Sequence, residues 1–400
     1  MSTKNTQNSV FLTDSGSIAT LAIARSLSKR GINITCGDEY RFNPTFYSKY
    51  VTNRVLYPSP YEKYALCTKT MLGLSRKNNY SMIIPMSDQM ALLLSKNKNV
   101  LSRFSKIPII DYKTLLNVYD KGRLIKKARE INIPYPPTYF PEEINLSEIR
   151  REAKYPLLIK PRKSTGGRGI RYINSPSELF PNYFEVKKKF GEPIIQEYIP
   201  HDMGIYSVNV LMNHFSEPIA IHAQKEYRRY PLGSATFAES IRDKKLINYA
   251  ITLLKALKWE GVCQVEFIMN PEDKEFLLLE VNMRFWMSLP LAIASGVDFP
   301  YLLYNVTMNR NVERVFKYKI GIKYRWLFPA DLLWLVKSKI NTTRKMREFI
   351  KSGITNMTYG VISKTDPKPI AGIILKSLSL IKNHEKRALI IDRDWKPSDF

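Results

Sequence analysis

Cysteine is nearly absent from this chain: Cys36, Cys67 and Cys263 are the only three among 400 residues. Three scattered thiols cannot build a disulfide framework, and they lack the paired spacing of a structural zinc site. They read as buried free thiols in a reducing compartment. Long apolar runs are missing too. No stretch reaches the ~18 uninterrupted apolar residues of a spanning helix, and the opening MSTKNTQNSVFLTDSG sets no apolar run behind a basic start. Neither a membrane span nor a secretory leader is expected, so the chain reads as cytoplasmic, with peripheral contact at a membrane surface left open. Acidic residues are the minority, 36 against 62 Lys and Arg, for a formal charge of +26. Such an excess favours anionic partners, whether nucleotides, phosphorylated substrates, nucleic acid or an acidic membrane. Charge alone does not choose among them.

What is present is ordinary globular composition, with 44% hydrophobic residues, 24 Tyr and 18 Phe, over a length that suits two or three domains. Ser9 to Thr13 predicts a strand, the spacing of Ile18, Leu21, Ala22, Ala24 and Leu27 predicts a helix ending at Gly31, and Ile32 to Cys36 predicts a second strand. That order opens a parallel α/β domain. The first turn, Asp14-Ser15-Gly16-Ser17-Ile18-Ala19, lacks the three-glycine dinucleotide fingerprint, so Asp38 reads as an ordinary strand-end residue. Tyr80 to Pro85 and Ile107 to Ile110 predict further strands, and this unit ends near residue 112. Helical spacing returns from Thr114 to Ile131 and stops at Pro134, Pro136 and Pro137. Strands are expected at Tyr155 to Pro161, Ile170 to Ile173, Pro193 to Ile199, Tyr206 to Met212, Ile219 to Gln224, Val262 to Ile268 and Phe276 to Val281. A helix is expected at Lys244 to Leu257, and amphipathic helices near 330–350 and 369–382 of a Lys-rich last segment.

Two clusters carry chemistry. Ser164-Thr165-Gly166-Gly167-Arg168-Gly169 forms the tip of a predicted hairpin, where glycines let backbone amides approach phosphate oxygens and Lys160, Lys163 and Arg168 add positive charge. A flexible hairpin loop is the plain alternative. Lys160 follows Leu157-Leu158-Ile159, and burying its ammonium is costly unless something anionic meets it. The second cluster is a pair of carboxylates on adjacent predicted strands, Glu266 and Glu280. Alternation puts Glu280, Asn282 and Arg284 on one face. Two carboxylates and an amide oxygen are hard ligands suited to Mg²⁺, and Arg284 suits a phosphate or carboxylate. A salt bridge between Glu280 and Arg284 on a solvated face is the plain alternative here.

In this order the residues resemble the ATP-grasp superfamily over about 113–305, in particular its stand-alone carboxylate-amine ligases. The motifs are Tyr119-Asp120-Lys121, Leu158-Ile159-Lys160-Pro161, Ser164 to Gly169, Gln196-Glu197-Tyr198-Ile199-Pro200, Glu266, and Glu280-Val281-Asn282-Met283-Arg284. The resemblance implies a Rossmann-like domain at 1–112, an ATP-grasp domain at 113–312 with a lid at about 113–195 and a catalytic part at about 196–312, and a basic helical segment at 313–400. It implies Lys121 and Lys160 on phosphates, Ser164, Thr165, Gly166, Gly167 and Gly169 in the closing loop, Glu197, Tyr198 and Ile199 at adenine, Asp202 at ribose, Glu266, Glu280 and Asn282 on Mg²⁺ or Mn²⁺, and Arg284 with Lys160 at the reacting phosphate. Arg228 and Arg229 are substrate candidates, a solvated basic loop being their alternative.

The implied reaction activates a carboxylate with ATP as an acyl phosphate, then joins it to an amine or thiol. Carboxylation of the biotin carboxylase type is a second reading. A third is a non-enzymatic binder of nucleic acid or membrane using Trp326, Trp334, Lys337, Lys339, Arg344, Lys345 and Arg347. No nucleic acid is expected, and a homodimer is left open.

Overall fold

A computed structural model describes residues 8–229, 233–337, 343, 346, 347, 349 and 355–381, the side chains of Asp202, Lys337 and positions 380–381 excepted. Its first unit is a parallel sheet of β1 (Ser9–Leu12), β2 (Asn33–Asp38), β3 (Asn53–Leu56) and β4 (Met82–Ile84), in the order β3-β2-β1-β4. Val10, Phe11 and Leu12 are all fully buried, as a strand covered on both faces requires. The helix Ile18–Ser28 is capped by the Ser17 hydroxyl, which accepts from the Ala19 N–H. Asp38 ends β2 and accepts the Gly16 N–H at 2.7 Å. All three cysteines are free and buried.

Two expectations fail here for local reasons. Ile107 to Ile110 forms no strand; Pro108 interrupts it, and it packs as a loop with Ile107, Ile109 and Ile110 buried. The helix expected from Thr114 to Ile131 is two helices, Tyr112–Tyr119 and Lys121–Glu130. Asp120 separates them with an extended backbone, and its carboxylate caps the second through the Arg123 N–H.

The second sheet joins β5 (Thr138–Tyr139), β6 (Leu157–Pro161), β7 (Arg171–Ile173) and β8 (Pro193–Glu197), in the order β5-β8-β6-β7. β6 and β7 pair antiparallel from Leu157↔Ile173 to Ile159↔Arg171, with the glycine-rich loop as the connection. The third sheet has seven strands: β9 (Ile205–Met212), β10 (Pro218–Arg229), β11 (Ala235–Ile241), β12 (Gly261–Met269), β13 (Phe276–Asn282), β14 (Lys323–Arg325) and β15 (Met357–Tyr359). Their order is β13-β12-β9-β10-β11-β14-β15.

The last segment is woven into both other units. β14 and β15 extend the large sheet. Asp366, almost fully buried, accepts from the Arg25 Nε at 2.9 Å, the Ser48 hydroxyl at 2.7 Å and the Lys49 N–H at 3.1 Å. Ile373 of the helix Pro369–Ile381 and Val361 pack with Ile18 and Leu21. Trp334 is buried under the Arg228 guanidinium and Trp326 is half-buried, so the two tryptophans named for a surface binder turn inward. Lys339, Arg344 and Lys345 of that set lie outside the described residues. Among the described residues no helix is long and apolar enough to cross a membrane.

Candidate functional site

The second and third sheets meet over a cleft lined by residues from all three units. They include Asp88 from the first, Lys121, Ser164, Thr165 and Gly166 from the unit of the second sheet, and Glu226, Arg229, Gln264, Glu266, Glu280, Asn282, Arg284 and Ser288 from the large sheet and its edge. The sheet register explains the gathering. β12 and β13 pair antiparallel with Glu266 opposite Glu280 and Gln264 opposite Asn282, and cross-strand partners share a face. The Asn282 amide donates to Glu266 Oε1 at 2.9 Å and to Gln264 Oε1 at 3.2 Å. Arg284 donates to Asn282 Oδ1 at 3.3 Å and lies 3.5 Å from Asp88 Oδ1. It does not pair with Glu280, whose half-buried carboxylate has no hydrogen bond or ion pair to a described residue. Burial pushes the Glu266 carboxyl up to about 7; Arg229 works against that push, and the charges of Glu280 and Glu226 add to it.

On the side of the second sheet, the break at Asp120 lets the Lys121 N–H donate to the Arg162 carbonyl, while its ammonium donates to the Ser164 carbonyl at 2.5 Å. Lys160 is not among the residues that line the cleft, and it donates to Gln196 Oε1 at 2.5 Å. Burial lowers its ammonium to about 8, helped by the charge of Lys121 and opposed by Glu280. Among the described residues no anion hydrogen-bonds this cation, so the charge is held at a cost.

Several expected residues stand elsewhere. Gly167 and Gly169 belong to the loop but not to the cleft lining. Glu197 accepts from the Tyr139 hydroxyl at 2.8 Å and the Lys154 N–H at 3.2 Å, and the Glu197 and Tyr198 amides bond the carbonyls of Pro137 and Pro156. At Ile199 neither backbone group bonds a described residue. The Asp202 side chain lies outside the described residues.

Arg228 and Arg229 sit at the end of β10, not in a solvated loop. β10 has an extra residue opposite β11 between Glu226 and Arg228, followed by a second irregularity. Such a bulge re-aims the side chains beyond it. Arg228 accordingly turns away from the cleft and grips the buried Asp331 with two hydrogen bonds at 2.8 and 2.9 Å. Arg229 turns in, donating to Glu266 Oε2 at 2.8 Å, with its Nε 3.0 Å from Glu226 Oε2. Burial works against the charge of Arg229, but Glu266, Glu226 and Glu280 hold it firmly protonated.

Asp88, Glu226, Gln264 and Ser288 were not among the sequence candidates. Glu226 shares the alternating face of Gln224, whose amide donates to Glu226 Oε1 at 2.9 Å and to the Ser288 hydroxyl at 2.7 Å. That alternation is the one signal that points to it. The donor set suits a hard divalent cation: Glu280 is engaged by no described residue, Glu266 faces it across the strands, and an amide oxygen lies beside them. No cluster of three His, Cys, Asp or Glu with metal geometry occurs among the described residues, so an amide or phosphate oxygen has to complete such a site.

The sheets, the glycine-rich hairpin and the carboxylate pair fall largely within a stretch that matches a known family model: residues 118–288 match the ATP-grasp domain. Among named proteins it is 25% identical over 333 residues to the D-aspartate ligase of Enterococcus faecium (strain Aus0004), covering 76% of this chain and 78% of that one. It is 26% identical over 220 residues to the carbamoyl phosphate synthase large chain of Methanothermobacter thermautotrophicus, covering half of this chain but only 20% of that one. In fold it is similar to the biotin carboxylase of Campylobacter jejuni, with a TM-score of 0.63 and 18% identity over 78% of this chain and 74% of that one.

Proposed function

We propose that this protein is an ATP-dependent carboxylate-amine ligase, activating a carboxylate as an acyl phosphate and joining it to an amine with release of ADP and phosphate. One observation carries the reading: Glu266 and Glu280, directly opposed on neighbouring strands, face a cleft they share with Lys121, Arg284 and the glycine-rich loop. In the proposed assignment Glu266, Glu280 and Asn282 hold Mg²⁺, which neutralises charge on the transferring phosphoryl group when bound. Lys121 and Lys160 bind phosphates, and Lys160 gains there the anionic partner it lacks. The amides of Ser164 to Gly169 close over the phosphates, and the Ile199 backbone is the adenine contact. Arg284 sits beside the reacting carboxylate and phosphate. Phosphoryl transfer asks little covalent work of a protein, so orienting the carboxylate in line and stabilising developing charge suffice. The closed loop then excludes water from the acyl phosphate.

The similarity to D-aspartate ligase, spanning most of both chains, supports an amine acceptor over a thiol. The second reading is a carboligase working through carboxyphosphate, which the carbamoyl phosphate synthase and biotin carboxylase similarities bring forward. The test is ADP release from Mg²⁺-ATP across a panel of amino acids and small carboxylates, with and without bicarbonate. Turnover is expected with a carboxylate and amine pair, falling at least ~100-fold in Glu280→Gln. Turnover that requires bicarbonate selects the second reading, and equal turnover in both proteins overturns the site.

A further inference from the structure

Glu226 has no place in the assignment above, yet it is almost fully buried and lines the same cleft. Its Oε1 is satisfied by the Ser207 hydroxyl at 3.0 Å and the Gln224 amide at 2.9 Å. Its Oε2 has no hydrogen bond, although the Arg229 Nε lies 3.0 Å away, and that Nε is equally without one. Charge attracts the two, but the angle is wrong, because the other arm of the guanidinium is drawn to Glu266 Oε2 at 2.8 Å. Arg229 is therefore stretched between two carboxylates and well bonded to only one. That one is the carboxylate read as a metal ligand, and the oxygen it takes is one of only two that Glu266 owns. The other oxygen already accepts the Asn282 amide.

We infer that Arg229 is a resident counter-ion competing with the divalent cation for Glu266, and that Glu226 is the tether that receives Arg229 when the cation arrives. This rests on the reading of Glu266 as a metal ligand. Two positive groups do not share one carboxylate oxygen in a buried site without strong repulsion, so metal at Glu266 displaces one arm of Arg229. The open hydrogen-bonding position between the Arg229 Nε and Glu226 Oε2 lets the guanidinium swing without becoming an unpaired buried charge. The bulge at Tyr227 supplies the geometry, since unbroken alternation aims Arg228, not Arg229, at the cleft. Both are positioning residues that set what Glu266 can coordinate.

Competition and tethering predict opposite signs. Mn²⁺ alone is the probe, titrated without nucleotide at pH 8.5 into the full-length protein and followed by its electron paramagnetic resonance signal. Arg229→Met removes the competitor, so Mn²⁺ is expected to bind at least about tenfold tighter than to wild type. Glu226→Gln removes the tether and leaves Arg229 leaning wholly on Glu266, so Mn²⁺ is expected to bind several-fold more weakly, about threefold or more. Arg229→Lys keeps the charge on a shorter arm and should fall between wild type and Arg229→Met. A purely structural role weakens binding in every variant, and that result, or an unchanged constant in Arg229→Met, overturns the inference. Circular dichroism and the melting temperature of Arg229→Lys guard against reading misfolding as loss of metal. If wild type binds no Mn²⁺ while Mg²⁺-ATP is still hydrolysed, there is no resident competition at Glu266 and the inference falls while the ligase reading stands. If Mn²⁺ responds as stated but no carboxylate supports ADP release, the ligase reading falls alone.

Discussion

At the scale of single residues, Lys160 is the group whose chemistry and stability pull in opposite directions. Its ammonium titrates near 8 in the folded protein against 10.5 for an ordinary lysine, chiefly because it is buried. The unfolded chain therefore binds this proton more tightly. The cost to stability is fully present below pH 8 and is relieved as pH rises from about 8 towards 10.5. Lys160→Met should leave the melting temperature at pH 7 unchanged or higher, while weakening nucleotide binding by ~10-fold or more through loss of a phosphate partner. A phosphate beside the ammonium restores its ordinary affinity for a proton, so nucleotide binding at pH 8 should take up part of a proton. Calorimetry in two buffers of different ionisation enthalpy measures this directly, and identical heats in both contradict the assignment. Glu280 and Asn282 were legible in the sequence because strand alternation holds between them, and Arg284 follows just past the end of β13. The choice between Arg228 and Arg229 was not legible, because one extra residue at Tyr227 reverses alternation and leaves no mark in composition.

At the scale of elements, the glycine-rich hairpin shows how unequal neighbouring glycines are. Gly167 (φ +70°) has open space where a Cβ would go, whereas at Gly169 (φ +79°) a Cβ would lie 2.7 Å from the Phe190 ring and 2.9 Å from Pro161. Gly167→Ala costs about 1–2 kcal/mol of backbone strain alone. Gly169→Ala adds a collision with the Phe190 ring and with Pro161, the last residue of β6. Gly169→Ala is therefore expected to raise protease cleavage of the 163–170 loop and weaken nucleotide binding by ~10-fold, with Gly167→Ala changing either by less than ~3-fold. Similar behaviour of the two variants contradicts this account. The hairpin itself was readable from Leu157-Leu158-Ile159 and the glycines that follow. β11 was missed because Ala235, Ala238 and Ser240 bury small side chains that carry little hydrophobic signal, and β3 because Asn53 to Leu56 is an exposed edge. Ile107 to Ile110 misled in the other direction: its isoleucines are core residues, but Pro108 and tertiary packing decide their backbone.

At the scale of the whole molecule, the two ends of the described chain are fastened together. Asp366 gathers Arg25, Ser48 and the Lys49 amide at a point where almost no water reaches it. Removing that carboxylate leaves the mostly buried Arg25 guanidinium facing backbone oxygens alone. Asp366→Ala should destabilise the protein by about 3 kcal/mol, lowering the urea midpoint as the 355–381 segment lets go first. An unchanged midpoint would count against the clamp. The same weaving bears on where the functional unit ends. The family match stops at residue 288, yet the large sheet does not. A piece cut at that boundary would bare the outer edge of Ala235–Ile241, a row of amides and carbonyls ready to recruit any passing strand. It would also strip Asp331 from Arg228, stranding a cation in the interior one residue from the arginine that faces Glu266. For this chain, evolutionary modularity and mechanical integrity draw different borders, and the wider one is what keeps the chemistry in register.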